Sequence, residues 1–236
     1  MRMLDAPRFN YTVTKAETIL GWIYTLIHMF GLPFGLSLLQ LHVFPEMTDI
    51  QGNLLYYCVG LAILLPLFWK MLRREFDPLF EHPFRCLGTL FWGYGIWYGL
   101  SLVLTAVMMA TGWAEDAPND MAVDQMAQSA WNLTLFISVI AAPILEEILF
   151  RGVIFQSMHK KSRLWAYVFN LLLFGLYHVW QYALVYEDLY YLVFIVQYIP
   201  VTFALIWVYE YSGSLWTAIF FHMSNNYMAM QILQLM

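Results

Sequence analysis

Charge and cysteine are both scarce in this 236-residue chain, and each shortage limits what the protein can be. Only 11% of the residues are charged, whereas 61% are hydrophobic and 19% are aromatic. A soluble domain of this size could not bury so much apolar surface, so the composition indicates a polytopic membrane protein. Two cysteines, Cys58 and Cys86, are too few for a disulfide framework. Basic residues form no cluster beyond short loops, which argues against a nucleic-acid partner.

Long apolar runs predict the architecture. Seven of them are long enough to cross the hydrocarbon core of a bilayer as helices. We expect these spans at about 18–43, 54–72, 87–111, 131–156, 164–185, 189–209 and 215–233. The predicted fold class is therefore all-α: a polytopic membrane helical bundle of about seven transmembrane helices. It would form a single integral-membrane domain over 1–236, with a lipid bilayer around it.

Proline and glycine predict irregularities within this bundle. Pro33 in the first span and Pro143 in the fourth should each disturb the helix, because proline lacks a backbone donor. The polar stretch 112–129 is expected to be the longest loop. Small residues allow close helix contact in membranes, and the third span carries three of them at Gly93, Gly95 and Gly99.

The positions of the basic residues predict the orientation. Ten of the eleven lie in the amino-terminal tail or after the second and fourth spans: Arg2, Arg8, Lys15, Lys70, Arg73, Arg74, Arg85, Lys160, Lys161 and Arg163. The connectors after the first, third and fifth spans carry none. By the positive-inside rule, the amino terminus is cytoplasmic and the carboxyl terminus lies outside. The short loops are typical of a protein of a bacterial inner membrane.

Charged residues within the fourth span indicate a functional site. Glu146 and Glu147 lie in an apolar run, and Arg151 follows one turn later. A charge at bilayer depth costs several kcal/mol, so three together need a reason. Glu147 and Arg151 are spaced i and i+4 with the acid first, the better order for an ion pair.

Two later spans place polar side chains at a similar depth. His178 lies in the fifth span, and His222 and Asn226 project from one face of the seventh. At 1.5 Å per residue, these three and Glu146 lie roughly 12 to 21 Å from the cytoplasmic ends, so they can meet in one layer. The remaining histidines are expected to face solvent or headgroups and to carry no chemistry: His28, His42, His82 and His159.

Three motifs in order resemble a known family. They are Glu-Glu-x-x-x-Arg at 146, 147 and 151, Phe-x-x-x-His at 174 and 178, and His-x-x-x-Asn at 222 and 226. This set resembles the CPBP family of intramembrane proteases, which includes type II CAAX prenyl endopeptidases and bacterial bacteriocin-processing or self-immunity proteins. The resemblance covers about 139–227. It implies a catalytic core at about 131–233, preceded by three spans over about 18–111 that show no family signature.

The resemblance implies an intramembrane endopeptidase acting on a membrane-associated protein or peptide, prenylated or anchored at its carboxyl terminus. Glu146 with His178 would activate a water molecule, and His222 with Asn226 would stabilise the oxyanion. The pair Glu147 and Arg151 would support the site, and Phe174 would pack within its motif.

Other interpretations stay open. Glu146, His178 and His222 could equally be three zinc ligands with one open position, although the His-Glu-x-x-His motif of zinc proteases is absent. The resemblance favours the reading without a metal. A catalytically silent member of the family could instead bind and regulate a membrane partner, although the complete motif set argues against it. A small transporter could use the same polar layer, but the sequence shows no inverted repeat.

Overall fold

A computed structural model of the protein describes residues 9–113 and 115–235, and every regular element within them is a helix. The long helices are α1 Lys15–His42, α2 Asp49–Arg74, α3 Pro83–Thr111, α4 Pro118–His159, α5 Arg163–Val185, α6 Leu189–Ser212 and α7 Leu215–Leu235. A short helix, Asp77–Glu81, follows α2. The first six are long and apolar enough to cross a membrane. The seventh has 21 residues, but polar side chains lower its hydropathy. The polytopic helical bundle is therefore confirmed.

In two helices, a π turn precedes a proline. In α1 a π turn at Ile27–Gly31 precedes Pro33, and in α4 a π turn at Ile137–Ala141 precedes Pro143. A proline leaves an earlier carbonyl without its usual donor, and a wider turn accommodates the change. A second π stretch, Ile148–Phe155, follows in α4. The first span is thus one continuous element rather than two.

The segment before the fourth span differs from its prediction. Instead of a loop over 112–129, α4 begins at Pro118 and continues to a break at Ala130, where φ is −152° and ψ is 65°. Proline suits the first position of a helix because it has no donor to lose there, and the Ala, Met and Gln residues that follow favour helix. The membrane part of α4 starts after this break, close to the predicted start at residue 131.

The centre of the bundle is the second half of α4. Its side chains from Ile148 to Phe155 are fully buried, and they pack against α1, α2, α5, α6 and α7. By contrast, α3 lies at the periphery and contacts α6 and α7. A Cβ at Gly93 would overlap Val208 Cγ2, so this glycine permits the close approach that its position predicted. Gly95 and Gly99 face open space, and the prediction of close contact there is wrong.

The two ends of the bundle carry opposite charge. At the basic end, Arg74 Nε donates to the Thr12 carbonyl at 3.0 Å, Lys160 Nζ donates to the Val13 carbonyl at 3.1 Å, and Arg163 pairs with Glu210. At the opposite, acidic end, Tyr190 and Gln197 both donate to Glu115. The predicted separation of signs is therefore present in the described residues. Arg2 and Arg8 lie outside them.

A buried carboxylate fixes the basic end. Glu75 accepts hydrogen bonds from Thr12 Oγ1, from Gln156 Nε2 at 3.1 Å, from Tyr209 Oη at 2.8 Å and from the backbone N–H of Leu215 at 2.9 Å. Four donors converge on it, and its negative charge lies at the amino end of α7, where the helix dipole favours an anion. Glu75 thereby sets the position of the helix that carries His222 and Asn226.

Candidate active site

The charged motif of α4 lies at the buried centre of the bundle. A six-residue α-helical segment, Ala142–Glu147, separates the two π stretches and carries both carboxylates. Arg151 Nη1 donates to Glu147 Oε1 at 3.0 Å, and both side chains are fully buried. The ion pair that the i, i+4 spacing predicted is present in the structure.

Two further side chains complete this pair. His222 Nδ1 lies 2.8 Å from Glu147 Oε1, so one carboxylate oxygen binds both the guanidinium and the imidazole. The ring of Phe174 lies against the guanidinium, with its centroid 4.6 Å from Arg151 Cζ. A cation over an aromatic face is stabilised electrostatically, more so when water is excluded. Arg151 Nε and Nη2 have no hydrogen-bond partner among the described residues. The cation is therefore stabilised by Glu147 and by the contact with the Phe174 ring.

Glu146 lies between two imidazole rings. Its Oε2 is 3.9 Å from His178 Nε2 and 3.8 Å from His222 Nε2, and the side chain is almost entirely buried. Three of the four residues predicted to form the catalytic layer, from three different helices, are thus brought together around one oxygen atom.

Hydrogen bonds on the far side of each ring fix the tautomers. His178 Nδ1 lies 2.8 Å from the Phe174 carbonyl, which can only accept, so this nitrogen carries the proton. His222 Nδ1 likewise donates to Glu147 Oε1, the oxygen that also accepts from Arg151 Nη1. In their neutral forms, both rings therefore present the lone pair of Nε2 to Glu146. A carboxylate and two acceptor nitrogens then converge on one small volume.

The separations in this cluster suit a water molecule. At 3.8 and 3.9 Å, the Nε2 and Oε2 atoms are too far apart for direct hydrogen bonds, but one water, with its two protons, can bridge Oε2 to one of the nitrogens. Tetrahedral zinc, with bonds of about 2.0 Å, would hold its ligand atoms about 3.3 Å apart. Among residues 9–113 and 115–235, no group of three His, Cys, Asp or Glu side chains has the arrangement of a metal site.

Asn226 contacts the same helix at a different point. Its Nδ2 donates to the Ser138 carbonyl at 2.8 Å, within the first π turn of α4. Asn170 does the same for the second π stretch, donating to the Phe150 carbonyl at 2.8 Å. Carbonyls released from a regular helix need such partners where water is excluded. One N–H of the Asn226 amide is engaged in this way, and the other remains for a ligand.

A polar cluster next to Glu146 was missed by the sequence predictions. The Tyr57 side chain, from α2, lies beside the Glu146 carboxylate. His28 is fully buried rather than exposed to headgroups, and its ring stacks on Tyr56 with centroids 4.3 Å apart. Its Nε2 lies 3.4 Å from Tyr177 Oη. The available signal was the position of His28 in an apolar run five residues before Pro33, where the π turn directs it inward.

His159 also differs from its prediction. It was expected to be a solvent-facing loop residue, but its Nε2 lies 3.2 Å from Glu210 Oε1, and the side chain is largely buried at the basic end. The same carboxylate binds Arg163. His159 therefore belongs to a charged contact between α4 and α6, remote from Glu146 along α4.

Helices of membrane length around a buried polar site define a multi-pass integral membrane protein. Residues 128–228 match the family model described as "Type II CAAX prenyl endopeptidase Rce1-like", and all three motifs fall within the match. Over this stretch, which runs from within α4 to within α7, the chain is therefore similar to the CPBP/CAAX protease family. No curated protein and no solved structure matches the chain.

Proposed function

We propose that the protein is an intramembrane endopeptidase in which Glu146 activates the water that hydrolyses a peptide bond. Its substrate would be a membrane-associated protein or peptide, prenylated or anchored at its carboxyl terminus. The observation that supports this most directly is the position of Glu146 Oε2, 3.9 Å from one Nε2 lone pair and 3.8 Å from another. A water molecule held there could direct one proton to Glu146 and the other to His178 Nε2, which leaves His222 Nε2 for the substrate oxygen.

The chemical step follows from these contacts. Water loses a proton to Glu146 while its oxygen attacks the scissile carbonyl carbon, and His178 Nε2 accepts the second water proton as a hydrogen bond. The tetrahedral intermediate then collapses, the C–N bond breaks, and Glu146 returns its proton to the leaving amine. Charge on the carbonyl oxygen has to be stabilised in between, and mutagenesis of comparable donors gives effects of about 10² to 10³ in rate.

His222 and Asn226 would supply those oxyanion donors. Because His222 Nδ1 is committed to Glu147, only the imidazolium form can donate from Nε2 as well. Glu147 sits where it would stabilise that cation, and Arg151 balances the carboxylate in the resting state. The ion pair would thus act on the substrate indirectly, by stabilising the imidazolium form of His222, rather than by contacting it. The free N–H of Asn226 would add a second donor.

Glu146→Gln tests the proposal directly. We would compare the membrane and secreted proteomes of host cells that carry wild-type protein, Glu146→Gln or the exposed control Glu81→Gln. A polypeptide that accumulates uncut only with Glu146→Gln supports the proposal and supplies the substrate. Full cleavage by Glu146→Gln would show that this carboxylate is not the base. Identical proteomes with all three proteins inserted would point to the catalytically silent regulator.

The role of zinc is tested on the purified enzyme once a substrate is known. We expect cleavage to continue after treatment with a strong zinc chelator, since the Nε2 and Oε2 atoms are spaced for a water rather than for zinc. Loss of activity that zinc alone restores would instead make Glu146, His178 and His222 the ligands of the metal.

A further inference from the structure

A cleft at the basic end is separate from the candidate active site. It has a volume of about 430 Å³ and lies between the start of α1 and the end of α4. Three lysines line it, Lys15, Lys160 and Lys161, together with Trp22 and Ser157. We propose that this cleft binds the headgroup of an anionic phospholipid.

The charge of the cleft is not neutralised by the protein. None of the three lysines forms an ion pair within the part of the chain that the structure describes. The nearby carboxylates bind elsewhere: Glu17 pairs with Arg74 at 3.0 Å, and Glu210 pairs with Arg163. Basic pockets between membrane helices attract anionic headgroups, at roughly 1 kcal/mol for each Lys or Arg near the surface in general.

Hydrogen bonds within the protein fix the side chains that line the cleft. Trp22 Nε1 donates to Ser157 Oγ at 3.0 Å, and this bond joins α1 to α4 in the lining. Indole rings favour the membrane interface, where one side of the ring is apolar and the other is wet. Lys160 Nζ is held by the Val13 carbonyl and lies 5.3 Å from the centre of the Tyr11 ring. These contacts define the position of one ammonium group.

An exposed apolar ridge on α1 favours a lipid over a soluble anion. It consists of Ile19, Ile23 and Leu26, spaced i, i+4 and i+7, and each side chain is more than half exposed. Ile19 also lines the cleft, so the ridge leads from it along the span. A phosphate group in the cleft would therefore have acyl chains directly beside an apolar helix face. A soluble phosphate would make no use of this ridge.

The test is a binding measurement that requires no proteolysis. Purified full-length protein in a non-ionic detergent would be titrated calorimetrically with dioctanoyl phosphatidylglycerol and, separately, with dioctanoyl phosphatidylcholine. Saturable binding of phosphatidylglycerol alone is expected. Lys15→Gln/Lys161→Gln should weaken it by about 25-fold, roughly fivefold for each ammonium removed. The matched double variant Lys70→Gln/Arg73→Gln removes the same charge from exposed positions outside the cleft and should bind normally.

Three outcomes would overturn the proposal. Equal binding of the two lipids would mean that only the apolar chains are recognised. Equal weakening by the two double variants would mean that a diffuse positive field, not the cleft, attracts the lipid. Glycerol phosphate binding as tightly as phosphatidylglycerol would identify a site for a soluble phosphate ester.

Discussion

Arg151→Met should destabilise the protein strongly, because it leaves the Glu147 carboxylate buried without its cation. Both partners are fully inaccessible, and only the Nδ1–H of His222 would remain on Glu147 Oε1. Breaking a buried ion pair by removing one partner costs about 3–5 kcal/mol. For a chain of this length, that corresponds to a fall of roughly 6–20 °C in the unfolding temperature. Arg151→Ala should cost at least as much, since it also removes the packing against Phe174.

The double variant Glu147→Gln/Arg151→Met separates charge from packing. It removes both charges, and the glutamine oxygen can still accept the hydrogen bond from His222. Replacing a buried pair by neutral groups of similar volume is often close to neutral, so most of the lost stability should return. Cleavage should stay low, because nothing would then stabilise the imidazolium form of His222.

Two measurements test this prediction. One is the unfolding temperature in detergent, followed by near-ultraviolet circular dichroism, and the other is cleavage of the identified substrate. Stability that recovers without activity supports the assigned role of the pair. If the double variant is no more stable than Arg151→Met, Arg151 does not act by neutralising Glu147. If it recovers activity as well, the charge on Glu147 has no part in the reaction.

Two further predictions concern the scaffold. Gly93→Ala should lower the unfolding temperature, because its Cβ would overlap a side chain of α6 at a typical cost of about 1–3 kcal/mol, whereas Gly95→Ala, which faces open space, should not. An unchanged Gly93→Ala protein would show that α3 can move away freely. Glu75→Gln should destabilise by about 1–3 kcal/mol. Oε1 accepts from three donors and Oε2 accepts from the Leu215 N–H, so the NH₂ group of glutamine would face at least one donor, while the exposed Glu81→Gln should have no effect. Equal melting of the two glutamine variants would contradict the role of Glu75 in fixing α7.

Much of the site was predictable because its chemistry depends on rare residues. Charges and histidines are costly inside a membrane, so Glu146, Glu147 and Arg151 stand out in any apolar run. His28 was misjudged for a related reason. It lies near the middle of the first span, but a lone histidine does not show from the sequence which way its side chain points, and the π turn at Ile27–Gly31 places it inside the bundle.

Other features depend on which face of a helix meets a neighbour, and the sequence does not contain that information directly. Gly93, Gly95 and Gly99 look alike in the sequence, yet one packs against α6 and two face outward. The sequence analysis missed the helix that begins at Pro118, because its residues are largely polar and a search for apolar membrane spans assigns polar stretches to loops. Glu75 gave no signal because its four donors come from three parts of the chain that are all distant from it in sequence.

The ion pair within α4 also bears on how the protein enters the membrane. Glu147 and Arg151 are one turn apart on a single helix, so they can pair before any other span is present. Each unpaired charge at the centre of a span adds about 2.5–3.5 kcal/mol to its insertion. A helix that neutralises two of its three charges internally presents one carboxylate, Glu146, to the insertion machinery. This span can thus partition into lipid early, and its neighbours can then assemble around it.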